Sequence, residues 1–146
     1  MARLDLDDQL TFADLMDVAE IALDVSAEIL RQTVSIFRAQ AALAAPFLRV
    51  FGRNVFDDPV ERAVICALLI IRWHPFLAGN VEVAAWCLRE MLVRSHYIWL
   101  RPDEDAEDII GLLERVEAGT ISDAAVLRGV RRRLRLSTGL ADGPTA

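Results

Sequence analysis

A histidine follows a long apolar run, in a short segment that is suited to holding an anion. Residues 74–80 read His-Pro-Phe-Leu-Ala-Gly-Asn, and a helix-like run, Val-Glu-Val-Ala-Ala-Trp-Cys-Leu, follows at 81–88. The first turn of a helix has unpaired backbone N–H groups and the positive end of the helix dipole, so it can bind a phosphate. Imidazole titrates near neutral pH. The segment therefore predicts an anion site with His74 beside it as a candidate general base.

The pattern His-x-Phe-x-x-Gly-Asn, placed between two helical runs, resembles the central motif of the Fic/Doc (death-on-curing) family. That family transfers phosphate or nucleotidyl groups onto protein hydroxyls, and its Doc branch supplies the toxins of toxin–antitoxin pairs. By this resemblance, His74 is the catalytic base and Phe76 anchors the loop in the core. The resemblance also implies that Gly79, Asn80 and the backbone of Val81 hold the phosphate oxygens of a nucleotide.

The same residue types also have purely structural uses. A histidine at a helix end is commonly structural, and a phenylalanine beside it commonly packs into the core. Gly79 and Asn80 are typical of a turn and a helix N-cap. We expect these structural roles to hold whatever the function is.

The segment departs from the family motif, approximately His-x-Phe-x-(Asp/Glu)-(Gly/Ala)-Asn-(Gly/Lys)-Arg, where that motif binds metal and phosphate. Ala78 stands at the acidic position, and its side chain has no oxygen with which to ligate magnesium. Glu82 stands at the arginine position, and Val81 and Val83 also differ from the Doc pattern. Two unit charges about 4 Å apart interact by roughly 4 kcal/mol at an effective dielectric near 20. We therefore expect no metal at Ala78 and badly weakened binding of ATP.

Three functions fit these residues. The first is a Doc-like protein of toxin–antitoxin type that is impaired in nucleotide binding, needs no cofactor and binds a protein partner, such as an antitoxin-like peptide or a target protein. The alternative is an active transferase toxin that AMPylates or phosphorylates a protein hydroxyl, with His74 as base and ATP and Mg²⁺ as cofactors. In that alternative Glu82, Asp57 or Asp58 holds the metal. The third is a homo-oligomer whose apolar surface is buried between copies.

Composition limits the class of protein. The 146 residues suffice for one domain with its own core, and 54% of them are hydrophobic, which indicates a large core or an apolar face reserved for a partner. The longest apolar run, residues 63–71, is shorter than the roughly 20 residues that span a bilayer, so we expect no membrane segment. The acidic N-terminus lacks the layout of a secretory signal, and we expect a cytoplasmic protein.

Charge and cysteine usage add two expectations. The net charge of −6 argues against nucleic-acid binding, which depends on basic residues. Cys66 and Cys87 each lie in an apolar helical run, which predicts buried thiols rather than a disulfide or a zinc site. Five arginines near the C-terminus predict a solvated helix face or contact with an acidic partner. These are Arg128, Arg131, Arg132, Arg133 and Arg135.

Apolar residues recur at helical spacing almost throughout, so the predicted fold class is all-α. The resemblance specifies a Fic/Doc-like bundle of about six helices around a central helix–loop–helix. Predicted helices begin at Thr11, at Asp24 or Ser26, and at Pro59, Asn80, Asp103 and Ser122, and the second ends by about Arg38. Between 39 and 58 the pattern weakens, and residues 47–51 are either an apolar loop or, by resemblance, part of a flap that positions a target peptide. We predict one domain at 1–136 and a flexible tail at 137–146.

Overall fold

The computed structural model describes residues 8–137, without the side chains of 102–107, and this part of the chain is mostly helical. The helices are α1 (Phe12–Leu23), α2 (Ala27–Thr33), α3 (Ile36–Ala44), α4 (Pro59–Trp73), α5 (Asn80–Arg94), α6 (Pro102–Glu117) and α7 (Asp123–Arg131), with a 3-10 turn at Ala45–Phe47. Four short strands complete it: β1 (Arg49–Val50), β2 (Arg53–Asn54), β3 (Tyr97–Trp99) and β4 (Leu134–Leu136). The all-α prediction is confirmed. Within residues 8–137, no helix combines the length and the apolar character that crossing a membrane requires.

Local capping explains where most of the predicted helices begin. Thr11 and Asp14 form a reciprocal capping box, with the Asp14 N–H donating to Thr11 Oγ1 at 3.0 Å and the Thr11 N–H donating to Asp14 Oδ2 at 2.9 Å. The side chains of Ser26 and Ser122 accept from the backbone three residues on. Asp58 caps α4, and Pro59 occupies its first turn. These four helix starts are confirmed.

The helices α4 and α5 form a central antiparallel hairpin, and the other helices pack around it. Nine residues of each central helix are buried, because their apolar side chains lie on nearly every side. Leu15 of α1, Leu113 of α6 and Val126 of α7 complete the core around this hairpin, and all three are fully buried.

The predicted second helix was wrong in its extent. The chain breaks at Val34, which is extended, and Ser35 then caps a separate helix α3 by accepting from the Arg38 N–H. The helix α3 continues to Ala44, through residues in which the pattern had weakened. Its buried side is mostly alanine, at Ala39 and Ala42, and this small side chain carries little periodic signal. The described chain consequently has seven α-helices, one more than predicted.

A second difference concerns the segment after α5, where the all-α prediction includes no strand. Strand β3 in this segment pairs antiparallel with β4, with Tyr97 opposite Leu136 and Trp99 opposite Leu134. The pairing joins segments that are far apart in sequence, so local patterning contains no sign of it. Ser137, predicted to begin the tail, still donates its N–H to the His96 carbonyl at 2.8 Å. Residues 138–146 lie outside the described part.

Candidate functional site

The loop between α4 and α5 is held between two residues in the left-handed backbone region. His74 ends α4 with φ 49°, and its N–H donates to the Ile70 carbonyl at 3.1 Å. Pro75 disfavours helical geometry at the residue before it, so the helix ends at this point. Gly79, with φ 76°, precedes α5 and tolerates this conformation because it has no Cβ. The loop between these two residues is short, and His74 is its first residue.

Asn80 closes the loop with its side chain. Its Oδ1 accepts from the Phe76 N–H at 3.0 Å, and its Nδ2 donates to the Phe76 carbonyl at 2.9 Å. Asn80 is 4% exposed and Phe76 3% exposed, so this clamp lies inside the core. The predicted N-cap role of Asn80 was wrong, because Gly79 is the N-cap and Asn80 is the first helical residue. Both polar groups of the Asn80 amide are therefore already engaged within the loop.

The same clamp determines how His74 is oriented. Asn80 Nδ2 lies 3.3 Å from His74 Nδ1. Because the Phe76 backbone dictates the orientation of the amide, the group that faces His74 is a donor, and Nδ1 must accept. The neutral ring then has its proton on Nε2. The His74 side chain is exposed, but the ring nitrogen able to accept a proton faces Asn80 rather than solvent.

The start of α5 is covered by two side chains. A Cβ at Gly79 would overlap Leu23 Cδ2, at the end of α1, and would lie 3.6 Å from Glu82 Oε2. The chain thus places an apolar side chain and a carboxylate of its own against the glycine where a phosphate was predicted to sit. An acidic group in the first turn is favourable through the helix dipole alone.

A cleft of about 360 Å³ opens at this helix start. Its lining residues come from the end of α1, the start of α5 and the last turns of α6: Ala22, Leu23, Gly79, Asn80, Val81, Glu82, Glu114 and Glu117. Among the described residues, three carboxylates and no basic side chain line this cleft. The sequence analysis missed Glu114 and Glu117, because they are distant in the chain and have no motif spacing. The cleft repels a phosphate more strongly than Glu82 alone would.

The metal ligands suggested for the transferase alternative do not come together. Asp57 and Asp58 precede α4, whereas His74 follows its last residue. The 15 residues of α4 span about 22 Å at 1.5 Å each, so Asp57 and Asp58 lie too far from the start of α5 to hold a metal there. Asp58 also forms an ion pair with Arg131. In the part of the chain with described side chains, no three His, Cys, Asp or Glu residues form a metal-binding group.

The two cysteines are buried free thiols, as predicted. Burial raises the pKa of Cys66 to about 12 and raises that of Cys87 well above its ordinary value. Since the thiolate is the reactive form, neither residue is suited to act as a nucleophile.

An exposed apolar surface lies beside His74. It consists of Ile36, Phe37, Trp73 and Leu77, and we call it the His74 face. Phe37 is 83% exposed and Leu77 is 82% exposed. The start of α3 is tied to the loop, because the Ser35 N–H donates to the Pro75 carbonyl at 2.8 Å. An exposed apolar patch of this kind commonly marks a binding surface.

The arginines near the C-terminus are divided between two uses. Arg131 pairs with Asp58, and Arg133 pairs with Asp108 at 3.2 Å, so both contribute to contacts within the chain. Arg128, Arg132 and Arg135 are exposed. Only Arg128 lies on α7, because Arg132 follows the helix and Arg135 is in β4, so the predicted helix face is wrong for these two.

Comparison of the chain with models of protein families, with curated proteins and with solved structures finds no match. Any functional proposal therefore depends on the residues and geometry described above.

Proposed function

We propose that this chain is a Doc-like protein of toxin–antitoxin type that acts by binding another protein and not by transferring phosphate or nucleotide. The observation that carries the proposal is the acidic cleft at the start of α5. Three carboxylates line the place where the motif resemblance puts the phosphates of a nucleotide. A few kcal/mol of repulsion corresponds to about a hundredfold loss of affinity or more.

The orientation of His74 supports the same proposal. A general base presents an unprotonated nitrogen to the hydroxyl that it activates. The nitrogen of His74 that accepts a hydrogen bond instead faces Asn80 at 3.3 Å. In this arrangement the motif residues hold the loop together. This structural role accounts for their presence without a catalytic role.

The His74 face supplies a surface for the partner. Its side chains are large, apolar and exposed in a chain whose central helices are already well buried. Burial of apolar area contributes about 25 cal/mol per Å², so covering Phe37 and Leu77 with a partner is favourable. We therefore place the protein contact beside the loop and not in the acidic cleft.

Nucleotide binding tests the proposal directly. The melting temperature of the full chain is measured with ATP, ADP and GTP, each with Mg²⁺ and with Mn²⁺. A ligand at 100 times its Kd stabilises a protein by about 2.7 kcal/mol, so binding is easily seen. We expect no shift at millimolar nucleotide. Transfer of labelled phosphate or nucleotide to any protein, lost in His74→Ala, would overturn the proposal.

An active transferase is the second candidate, because the His74 side chain is exposed next to the helix start. In that case His74 would accept the hydroxyl proton of a target protein, and the N–H groups near Gly79, Asn80 and Val81 would hold the phosphates. A variant with Glu82→Gln distinguishes the two candidates. Nucleotide transfer by the unmodified chain that falls sharply in this variant would favour a remodelled active site.

A further inference from the structure

Two stretches of this acidic chain contain no carboxylate. Residues 29–56 have four arginines and no Asp or Glu, although the whole chain has 22 acids and a net charge of −6. Residues 62–81 have two arginines and again no acid. The local charge of these stretches is therefore opposite to that of the protein as a whole.

The fold packs these two stretches together. The helix α3 runs alongside α4, since Arg38 Nη1 donates to the Trp73 carbonyl at 3.2 Å at one end. At the other end the Arg62 guanidinium lies 5.4 Å from the centre of the Phe47 ring. The result is a surface along α3 and α4 that combines exposed apolar groups with Arg38, Arg49 and Arg53. The acids next to it in the chain, Asp57, Asp58 and Glu61, lie at its hairpin end.

Two exposed apolar groups lie at the two ends of this surface. One is the His74 face. The other is the β1–β2 hairpin, in which Phe51 is 98% exposed. The base of the hairpin is fixed near Arg62, because Arg62 Nη1 donates to the Phe56 carbonyl at 3.1 Å. Arg62 and Trp73 are eleven residues apart on α4, which is about 16 Å.

We infer that this surface binds an extended, acidic segment of a partner protein whose apolar side chains contact Phe37 and Phe51. The inference rests on the proposed function and specifies the chemistry of the partner. A strand rises about 3.3 Å per residue, so about five extended residues cover the distance along α4. Carboxylates between the apolar residues of the segment then meet the arginines of the surface.

The arginines are free to make these contacts. The Arg53 side chain is exposed and has no hydrogen bond or ion pair to any described residue. Arg38 is exposed and has donors left over, because a guanidinium has five N–H groups and only its Nη1 bonds to Trp73. Arginine binds carboxylates with two parallel hydrogen bonds, which adds specificity to the charge attraction.

Arginine with exposed aromatic rings is also the composition of a surface for single-stranded nucleic acid. Charge decides against this occupant. A polyanion extends beyond a surface of three arginines and meets the field of a protein with a net charge of −6. A short acidic peptide is no longer than this surface, so its carboxylates lie beside the arginines and not beside the acidic remainder of the protein.

Selection from a random twelve-residue peptide display library tests the inference. Peptides enriched on the full chain should contain apolar residues interleaved with Asp or Glu. The affinity of a synthesised enriched peptide should fall at least tenfold in Arg38→Glu/Arg53→Glu, and it should weaken as salt is raised. The matched control is Arg128→Glu/Arg132→Glu, which reverses two exposed arginines on α7 and the residue after it, and it should bind normally.

The outcomes separate the inference from the proposed function. Enriched peptides that depend on Phe37 and Leu77 but are neutral or basic overturn the acidic partner alone. Enrichment unaffected by Phe37→Ser/Leu77→Ser, or no enrichment at all, overturns binding at the His74 face itself. If the α7 control variant no longer binds the acidic peptides, the peptides bind near α7, and the surface along α3 and α4 is overturned as their site. Tighter binding of a single-stranded RNA oligonucleotide than of any peptide overturns the protein partner.

Discussion

Asp8 and Arg62 form a buried ion pair that fastens the N-terminal end of the described chain to the base of the β1–β2 hairpin. Asp8 Oδ2 lies 2.9 Å from Arg62 Nε, and their side chains are 4% and 6% exposed. Arg62 also donates to the Asp57 carbonyl at 2.9 Å. One guanidinium therefore joins α4, the chain before α1 and the segment after the hairpin.

Removal of one member of this pair should destabilise the protein strongly. Asp8→Ala leaves a buried guanidinium without its carboxylate, and we expect a loss of about 3–5 kcal/mol in the free energy of unfolding. Urea denaturation measures it. The control is Asp123→Ala, which breaks the exposed pair with Arg72 and should change stability by less than about 1 kcal/mol. Equal effects of the two substitutions would contradict the structural role of Asp8.

A substitution at Gly79 should be much worse than the same substitution at Gly52. Both glycines have φ 76°, so alanine at either position meets the left-handed penalty of about 1–2 kcal/mol. Only Gly79→Ala also drives a methyl group into Leu23, which adds about 1–3 kcal/mol. Thermal or urea unfolding gives the loss of stability in each variant, and the difference between the two losses is the cost of the contact with Leu23.

Leu23→Ala in the Gly79→Ala background checks the assignment. Shortening Leu23 removes the overlap, so the double variant should be more stable than the sum of the two single losses predicts. Additive losses would show that Leu23 does not cover the start of α5.

The elements that were predicted from the sequence are those specified by neighbouring residues. The helix starts at Thr11, Ser26 and Ser122 need only a side chain and a backbone N–H a few residues apart. The loop at 74–79 is likewise local, because Pro75 and Gly79 define its ends.

The rest depends on contacts between distant parts of the chain. The pairing of β3 with β4 and the contact of Asp8 with Arg62, 54 residues apart, have no local signature. The acidity of the cleft arises in the same way, since Glu114 and Glu117 come from α6 while Glu82 begins α5. The motif comparison identified one of the three carboxylates, Glu82, and the fold brings Glu114 and Glu117 beside it.

Stability should fall in alkali because of the buried thiols. The folded-state pKa of Cys66 is raised to about 12 from an ordinary 9.0, so the folded state retains a proton that the unfolded state releases. The stabilisation is complete below about pH 9 and is lost as the pH rises towards 12. The slope is about 1.4 kcal/mol per pH unit for each thiol. Urea unfolding at pH 8, 9 and 10 measures this decline.

This chain suits the measurement, because all sixteen of its basic side chains are arginine and none is lysine. Tyr97, the single tyrosine, is the other side chain that titrates in this range, and burial raises its pKa too. The slope should become shallower in Cys66→Ala and shallower again with Tyr97→Phe added. A slope unchanged by both substitutions would refute the assignment.

The tautomer of His74 should be the one with its proton on Nε2. Nitrogen-15 chemical shifts, recorded at a pH where imidazole is neutral, distinguish a ring nitrogen that has a proton from one that accepts. We expect His74 Nδ1 to be the acceptor in the unmodified chain and this preference to weaken in Asn80→Ala. His96 provides the internal comparison. A proton found mainly on Nδ1 of His74 would restore the histidine as a well-placed base.

Introducing the Fic/Doc motif residues at two positions should be insufficient to create nucleotide binding. Ala78→Asp with Glu82→Arg introduces the acid and the guanidinium of that motif, but Glu114 and Glu117 still line the cleft. Since about 1.4 kcal/mol changes affinity tenfold, two remaining carboxylates are enough to suppress binding to MgATP. We expect binding only when Glu114→Gln and Glu117→Gln are added, and calorimetric titration of both variants measures it. Micromolar affinity in the variant with two substitutions would mean that the α6 carboxylates do not act on the phosphate position.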